Sequence, residues 1–326
     1  ERLAIAAYLT GRDDECADLL DRAHHGFLDG REVTRAVRCA FWMGFMLLTR
    51  GEMARAGGWL ARAERLLEEA QEDCVERGYL LLPLAFQNVF AGDFQAVYDT
   101  FAEALEIGER FDDLDLVTMA RHGQGRALMR LGQTADGLAL LDEAMVAVTA
   151  GEVSPIIAGH VYCSVIEACQ EIFDLRRAQE WTEALGRWCE SQPDLVPYRG
   201  QCLVHRSQIM QIRGAWSEAL EEARRACDRL AEPNVHPAVG MAFYQRAELH
   251  RLRGELSEAE EAYREASRWG HDPQPGLALL RLAQGRLDNA VAAIRRVVSE
   301  ARDAVSRSKV LPAYVEVMLE AGDVSA

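Results

Sequence analysis

Ala247-Glu248-Leu249-His250-Arg251-Leu252-Arg253-Gly254-Glu255-Leu256-Ser257-Glu258-Ala259-Glu260-Glu261-Ala262-Tyr263-Arg264-Glu265-Ala266 decides how the rest of the chain is read. The stretch spaces as a helix, a tight turn at Gly254 and a second helix. Glycine gives the turn a backbone freedom that other residues lack. Behind it, Ala259 follows five positions on, Tyr263 nine on and Ala266 twelve on. Small residues at that spacing let the second helix cross the first closely.

Aligning the chain on the turn gives Gly11, Gly51, Gly92, Gly132, Phe173, Gly214, Gly254 and Gly285. By subtraction the first seven are separated by 40, 41, 40, 41, 41 and 40 positions, and the last step is 31. Five positions after each turn stand Cys16, Ala56, Val97, Gly137, Ala178, Ala219, Ala259 and Ala290. Twelve after stand Ala23, Ala63, Ala104, Ala144, Leu185, Ala226, Ala266 and Val297. Two short helices cannot bury their apolar faces alone, so each pair must stack on the next. The fold class expected is all-α: a tetratricopeptide-like, right-handed superhelical solenoid of eight helix pairs plus a terminal helix. HEAT and armadillo repeats have the right length, about 40–47 residues against about 34 for a standard tetratricopeptide unit. The turns Gly92-Asp93-Phe94, Gly214-Ala215-Trp216 and Gly254-Glu255-Leu256 favour the tetratricopeptide reading.

The 326 residues suit one solenoid over 1–326. The chain carries 36 basic and 52 acidic side chains, net −16, and Lys309 is its only lysine. That charge is a poor match for nucleic acid or anionic membrane. Solubility of an array with much surface is reason enough for it. The eight cysteines, at 16, 39, 74, 163, 169, 189, 202 and 227, form no CxxC pair and fall mostly in apolar helical pattern. No signal peptide opens the sequence, and no apolar run approaches the ~18 residues of a membrane span. A reduced, cytoplasmic protein with free thiols is expected.

In order, the first repeat runs to about His25, and Gly26–Gly30 reads as a loop. The second repeat's first helix is aromatic, with Phe41, Trp42 and Phe45, and its second helix runs from Met53 to about Val75. Pro83 should start or kink the next helix. Glu152-Val153-Ser154-Pro155 marks a break after the fourth repeat. Phe173-Asp174-Leu175 replaces the turn glycine of the fifth. Pro193 and Pro197 stiffen a connection, Glu232-Pro233 ends the sixth repeat, and the seventh opens at Pro237. Asp272-Pro273-Gln274-Pro275 shortens the helix before Gly285, which accounts for the 31-residue step. Ala313–Asp323 reads as the first helix and turn of a ninth repeat, so the natural chain is expected to continue past Ala326.

Several stretches resemble the tetratricopeptide region of large LuxR-type transcriptional regulators, the MalT-like group of actinobacteria. They are Ile166-Glu167-Ala168-Cys169-Gln170-Glu171-Ile172-Phe173-Asp174-Leu175-Arg176-Arg177-Ala178, then residues 192–206, Glu265-Ala266-Ser267-Arg268-Trp269-Gly270 with Pro273-Gln274-Pro275-Gly276, and Ala313–Asp323. The resemblance implies a sensor or scaffold segment preceding a DNA-binding helix-turn-helix, sometimes with an ATP-binding module. Lys309 does not stand in the GxxxxGK[ST] context that such a module needs. DNA binding is thus implied for a parent protein and not for these residues.

No HExxH, GxSxG or complete GxGxxG occurs, and no catalytic residue or cofactor is expected. Gly123-Gln124-Gly125 lacks the third glycine and lies within a helix. Cys163 and Cys169 fall on different faces of one helix; packing explains them, with Cys202 and His205, better than a metal does. Asp112, Asp113 and Asp115 read as helix caps rather than calcium ligands. Helical spacing places the positions ten, six and three before each turn on one face of the first helix, which lines the concave surface of tetratricopeptide folds. That face is apolar early (Phe41, Phe45, Leu48, Leu82, Phe86, Val89) and polar later. Arg126, Glu167, Gln170, His205, Gln208, Tyr244, Glu248 and Arg251 are the expected ligand-binding residues, for a peptide, a protein or a small polar ligand. A solvated inner face with pairs such as Arg126–Glu167 is the other reading of the same residues.

Overall fold

The computed structural model describes residues 1–192, 195–231 and 238–324. The expectations on Pro193, Asp194, Glu232, Pro233 and Pro237 lie outside the described residues. Among the described residues the secondary structure is helical throughout. The helices are α1 Arg2–Leu9, α2 Asp13–Asp29, α3 Val33–Thr49, α4 Met53–Ala70, α5 Glu76–Ala91, α6 Phe94–Arg110, α7 Leu114–Arg130, α8 Thr134–Thr149 and α9 Pro155–Glu171. They continue as α10 Leu175–Ser191, α11 Arg199–Ile212, α12 Trp216–Ala231, α13 Val239–Leu252, α14 Leu256–Arg268, α15 Gly276–Ala283, α16 Leu287–Glu300 and α17 Ala304–Glu320. Among the described residues eight pairs and a ninth first helix are thus present, as the turn register requires.

Every aligned turn residue has left-handed backbone, with φ 73° at Gly11, 77° at Gly51, 75° at Gly92, 86° at Gly132, 79° at Gly214, 77° at Gly254 and 72° at Gly285. Phe173 adopts φ 60° in the same place without glycine's freedom. The turns close identically: Asp93 N donates to Asn88 O at 3.1 Å, and Asp174 N to Cys169 O at 2.8 Å. These bonds satisfy carbonyls that the end of the first helix would otherwise leave open. The next helix is capped by aspartate where one is available, Asp93 accepting from Ala96 N and Asp113 from Leu116 N, both at 3.0 Å.

The small residues mark the crossing points. A Cβ on Gly125 would stand 2.8 Å from Gly137 O, and one on Gly137 2.6 Å from Gly125 O, so α7 and α8 meet backbone to backbone. Ala56, Ala178, Ala219, Ala259 and Ala290 are wholly buried at the equivalent place. The exposed apolar area that each pair would leave is covered by the next, through contacts such as α2 with α3, α6 with α7 and α12 with α13.

Four boundaries differ from the sequence reading. α2 continues through Gly26 to Asp29 instead of ending near His25. α4 stops at Ala70 because Gln71 turns left-handed, φ 52°, well before Val75. α5 starts at Glu76 and carries Pro83 inside it. Packing holds that extra turn: Glu76 pairs with Arg38 at 3.1 Å, and Gly78 is so close to Leu116 that a Cβ would stand 2.4 Å from Cδ2. Likewise α17 begins at Ala304 and runs through Pro312, and Gly322 follows it with the repeated left-handed turn, φ 73°.

The chain forms two compact bodies, Glu1–Tyr162 with Cys189–Pro197, and Cys163–Trp188 with Tyr198–Ala326. In the first, residues far apart in sequence meet: Val196 N donates to Leu9 O at 2.8 Å. In the second, Lys309 Nζ lies 2.8 Å from Glu171 Oε1, joining α17 to α9 across 138 positions. The eight cysteines are free and buried. Burial pushes the Cys16 thiol up to about 12 and those of Cys39 and Cys227 up to about 11, so they act as small apolar side chains. No helix among the described residues is long and apolar enough to cross a membrane.

Candidate functional site

The first helices of the two bodies present different chemistry. In the first body the face expected to be apolar is closed only in part: Leu82 is buried, Leu48 and Phe86 are half-buried and Val89 is exposed. Phe41 and Phe45 are buried, and Phe41 meets Trp42 and Tyr79 edge to face, each at 5.2 Å between centroids. Phe45 approaches His160 at 6.3 Å, and His160 approaches His122 at 5.7 Å. Burial, with Arg126 nearby, lowers the His160 pKa to about 4, and burial with His160 and Arg126 lowers that of His122. Both rings are therefore neutral at pH 7. A small, partly open apolar recess lies beside Trp42, Phe45, Met46 and Ile156.

A charged junction ties the same body together. Arg38 pairs with Glu76 at 3.1 Å and lies 3.7 Å from Asp113, its guanidinium 4.2 Å over the Tyr79 ring. Tyr79 donates its hydroxyl proton to Asp113 Oδ1 at 2.9 Å. Asp115 accepts from the Ser154 backbone at 2.7 Å. The acidic loop thus caps helices and joins repeats, and among the described residues no group of three acidic, His or Cys side chains could hold a metal.

In the second body the polar positions are engaged with one another. Gln170 on α9 donates from Nε2 to Gln208 Oε1 on α11 at 2.9 Å. His205 Nδ1 lies 3.2 Å from the same oxygen. Gln245 on α13 donates to Gln211 Oε1 at 2.7 Å and to Ser207 Oγ at 3.2 Å, and Ser207 donates to Ala219 O at 2.8 Å. Glu248 accepts from Arg251 at 2.8 Å and from the Tyr263 hydroxyl. Tyr244 packs on Tyr263 at 5.7 Å and on His271 at 5.0 Å. Burial pushes both phenols far above their ordinary range. Burial works against the Arg251 charge, but the Glu248 carboxylate outweighs it and raises the guanidinium pKa.

The eight expected residues therefore divide. Arg126, half-buried on α7, belongs to the first body, and the other seven to the second. Gln170, His205 and Gln208 come together, as do Tyr244, Glu248 and Arg251. Glu167 is half-buried on α9. His205 is wholly buried, so its ring supports Gln208 and does not itself face outward. Its pKa is lowered by burial, partly offset by Glu167 and Gln208. Sequence spacing missed Gln245 and Ser207, which stand one position off the chosen rows and face the neighbouring repeat. It also missed the Arg38 junction, which has no motif and depends on repeats about 38 positions apart.

Stacked helix pairs with this turn and crossing pattern define a tetratricopeptide-like α-solenoid. The backbone is similar to that of NprR solved in complex with its cognate peptide NprX, with a TM-score of 0.60 and 13% identity over 89% of this chain and 85% of that one. It is similar to a Rap protein complexed with Competence and Sporulation Factor, with a TM-score of 0.61 and 13% identity over 94% and 93%. A Signal Transduction ATPase with Numerous Domains protein with a tetratricopeptide repeat sensor, from Pyrococcus horikoshii, gives 0.50 and 12% over 94% of this chain and 50% of that one. At these identities the likeness is one of fold. No family model and no curated protein sequence matches the chain.

Proposed function

We propose that this chain is a peptide- or protein-binding solenoid and that it serves as the sensor or interaction segment of a LuxR-type transcriptional regulator. The observation that carries the binding part is the fold likeness, over most of each chain, to NprR solved with its cognate peptide and to the Rap protein solved with Competence and Sporulation Factor. The half-buried polar side chains on the first helices of the second body support it, because such groups add little to packing and suit recognition of a polar ligand. The regulatory part rests on the sequence resemblance at Ile166–Ala178 and Ala313–Asp323.

A random peptide display library panned on the purified chain tests the binding part, with calorimetry on the enriched sequences. Saturable binding of a recurrent sequence class is expected. A library that emerges unenriched would reject the reading. For the regulatory part, in-frame deletion of the region encoding residues 1–326 should change a restricted set of transcripts, and an unaltered transcript profile would leave a plain scaffold as the better account.

A further inference from the structure

Three successive first helices of the second body, α9, α11 and α13, carry a row of side-chain amides. Their mutual bonds fix which end of each amide is used inside the protein. Gln208 and Gln211 are held by their oxygens, Oε1 of Gln208 accepting from Gln170 at 2.9 Å and Oε1 of Gln211 accepting from Gln245 at 2.7 Å. Gln170 is held by its nitrogen. A carboxamide has two N–H donors and one oxygen with two lone pairs. Among the described residues the Nε2 groups of Gln208 and Gln211 and the Oε1 of Gln170 have no protein partner, and none of these atoms is among the buried unpaired ones.

His205 reinforces this polarity. Its ring is wholly buried, and its Nδ1 lies 3.2 Å from Gln208 Oε1. A neutral ring donating from Nδ1 keeps the Gln208 oxygen inward and its Nε2 group outward. His205 Nε2 is buried and unpartnered. A buried polar atom left unpaired costs stability, so a purely structural position would be better filled by an apolar ring.

We propose that this row reads the main chain of an extended peptide, Gln208 and Gln211 donating to its carbonyls and Gln170 accepting from one of its amide N–H groups. The proposal rests on the peptide-binding reading above and names what that site recognises. Packed helices lie about 8–10 Å apart, and an extended chain rises about 3.3 Å per residue, so one step along the row spans about three peptide residues. The amides are uncharged, and the nearby Arg251 is already paired with Glu248 at 2.8 Å. The row therefore suits neutral backbone groups over a terminal carboxylate.

The test captures the purified chain on beads carrying blocked random pentapeptides, beside an otherwise identical pool in which the central amide is an ester. The ester removes one N–H and weakens one carbonyl acceptor with little change of shape. Capture by the amide pool should exceed that by the ester pool about ten-fold, and Gln211→Leu should lower amide-pool capture by a similar factor. Arg225→Ala, at a side chain 62% exposed on α12, should leave capture unchanged. Equal capture of the wild-type chain by the two pools would overturn main-chain reading and leave peptide binding standing. Capture by neither pool would overturn both. Undiminished capture of Gln211→Leu, with its thermal midpoint preserved, would remove that residue from the row and reject the proposal. The ester comparison uses the wild-type chain, so it decides the matter even where Gln208→Leu fails to fold.

Discussion

The same helix-pair grammar builds two bodies whose first helices end up doing different work. In the first body, Phe41, Trp42, Phe45 and Tyr79 close on one another, and even the histidines His122 and His160 are drawn into the apolar packing. In the second, equivalent helical faces carry Gln170, Gln208, Gln211, Glu248 and Arg251, half-buried and joined by directional bonds. The repeat fixes where a face lies. The side chains placed on it decide whether that face becomes core or remains available to a ligand.

The largest effect should separate core from polar face. Phe41→Ala removes a ring that is 1% exposed and in contact with three others, and should cost about 3–5 kcal/mol. Gln211→Ala, which removes one amide bond on a half-buried face, should cost about 1 kcal/mol or less. Urea unfolding of both variants measures the contrast, and similar losses would mean that the second body's polar face is as much core as the first's.

Next in size is the response to acid. Folded His160 holds its proton with a pKa of about 4, while an unfolded histidine titrates near 6.5. Between those values the unfolded chain binds more protons, so His160's contribution is fully present above about pH 6.5 and is lost as pH falls toward 4. The loss should reach about 3 kcal/mol. Denaturant midpoints measured from pH 7.5 to 4 should fall less steeply for His160→Phe than for the wild type. Curves that stay parallel would show that the His122–His160 pair does not set this body's acid sensitivity.

The smallest effect sharpens the comparison at a turn. Gly11, Gly51, Gly92 and Gly132 serve the first body, whereas Phe173 holds φ 60° between α9 and α10. Its ring is 58% exposed, so little packing offsets the left-handed backbone. Phe173→Gly should raise stability by about 0.5–1 kcal/mol, read as a higher thermal midpoint. A lower midpoint would show that the exposed ring has a packing role of its own.

The glycine register made the helix pairs and their crossings legible because those turns need a left-handed residue and the crossings need small ones. The return turns from second helix to first helix were less legible, the break at residues 152–155 aside. Arg31, Gln71 and Asp112 occupy them with φ 61°, 52° and 55°, and among the described residues only Gly151 and Gly270 show the expected residue type. Helix starts near Pro83 and Pro312 escaped notice for a related reason: local propensity argues for a break, and tertiary packing overrides it. At the candidate site, spacing singled out Gln170, Gln208, Glu248 and Arg251. It could not show that their first partners are one another, because those pairings depend on the height at which each repeat stacks on the next.

Lys309, the cation that joins α17 to Glu171 of α9, is the only lysine in the sequence. Its side chain is 47% exposed and that of Glu171 only 10%. An acylating reagent, or an acetyltransferase, therefore meets a single lysine side chain, and it lies at the junction of segments 138 positions apart. Neutralising that amine would remove one partner of a mostly buried carboxylate. One covalent mark at one address would thus probe the contact between the two helices.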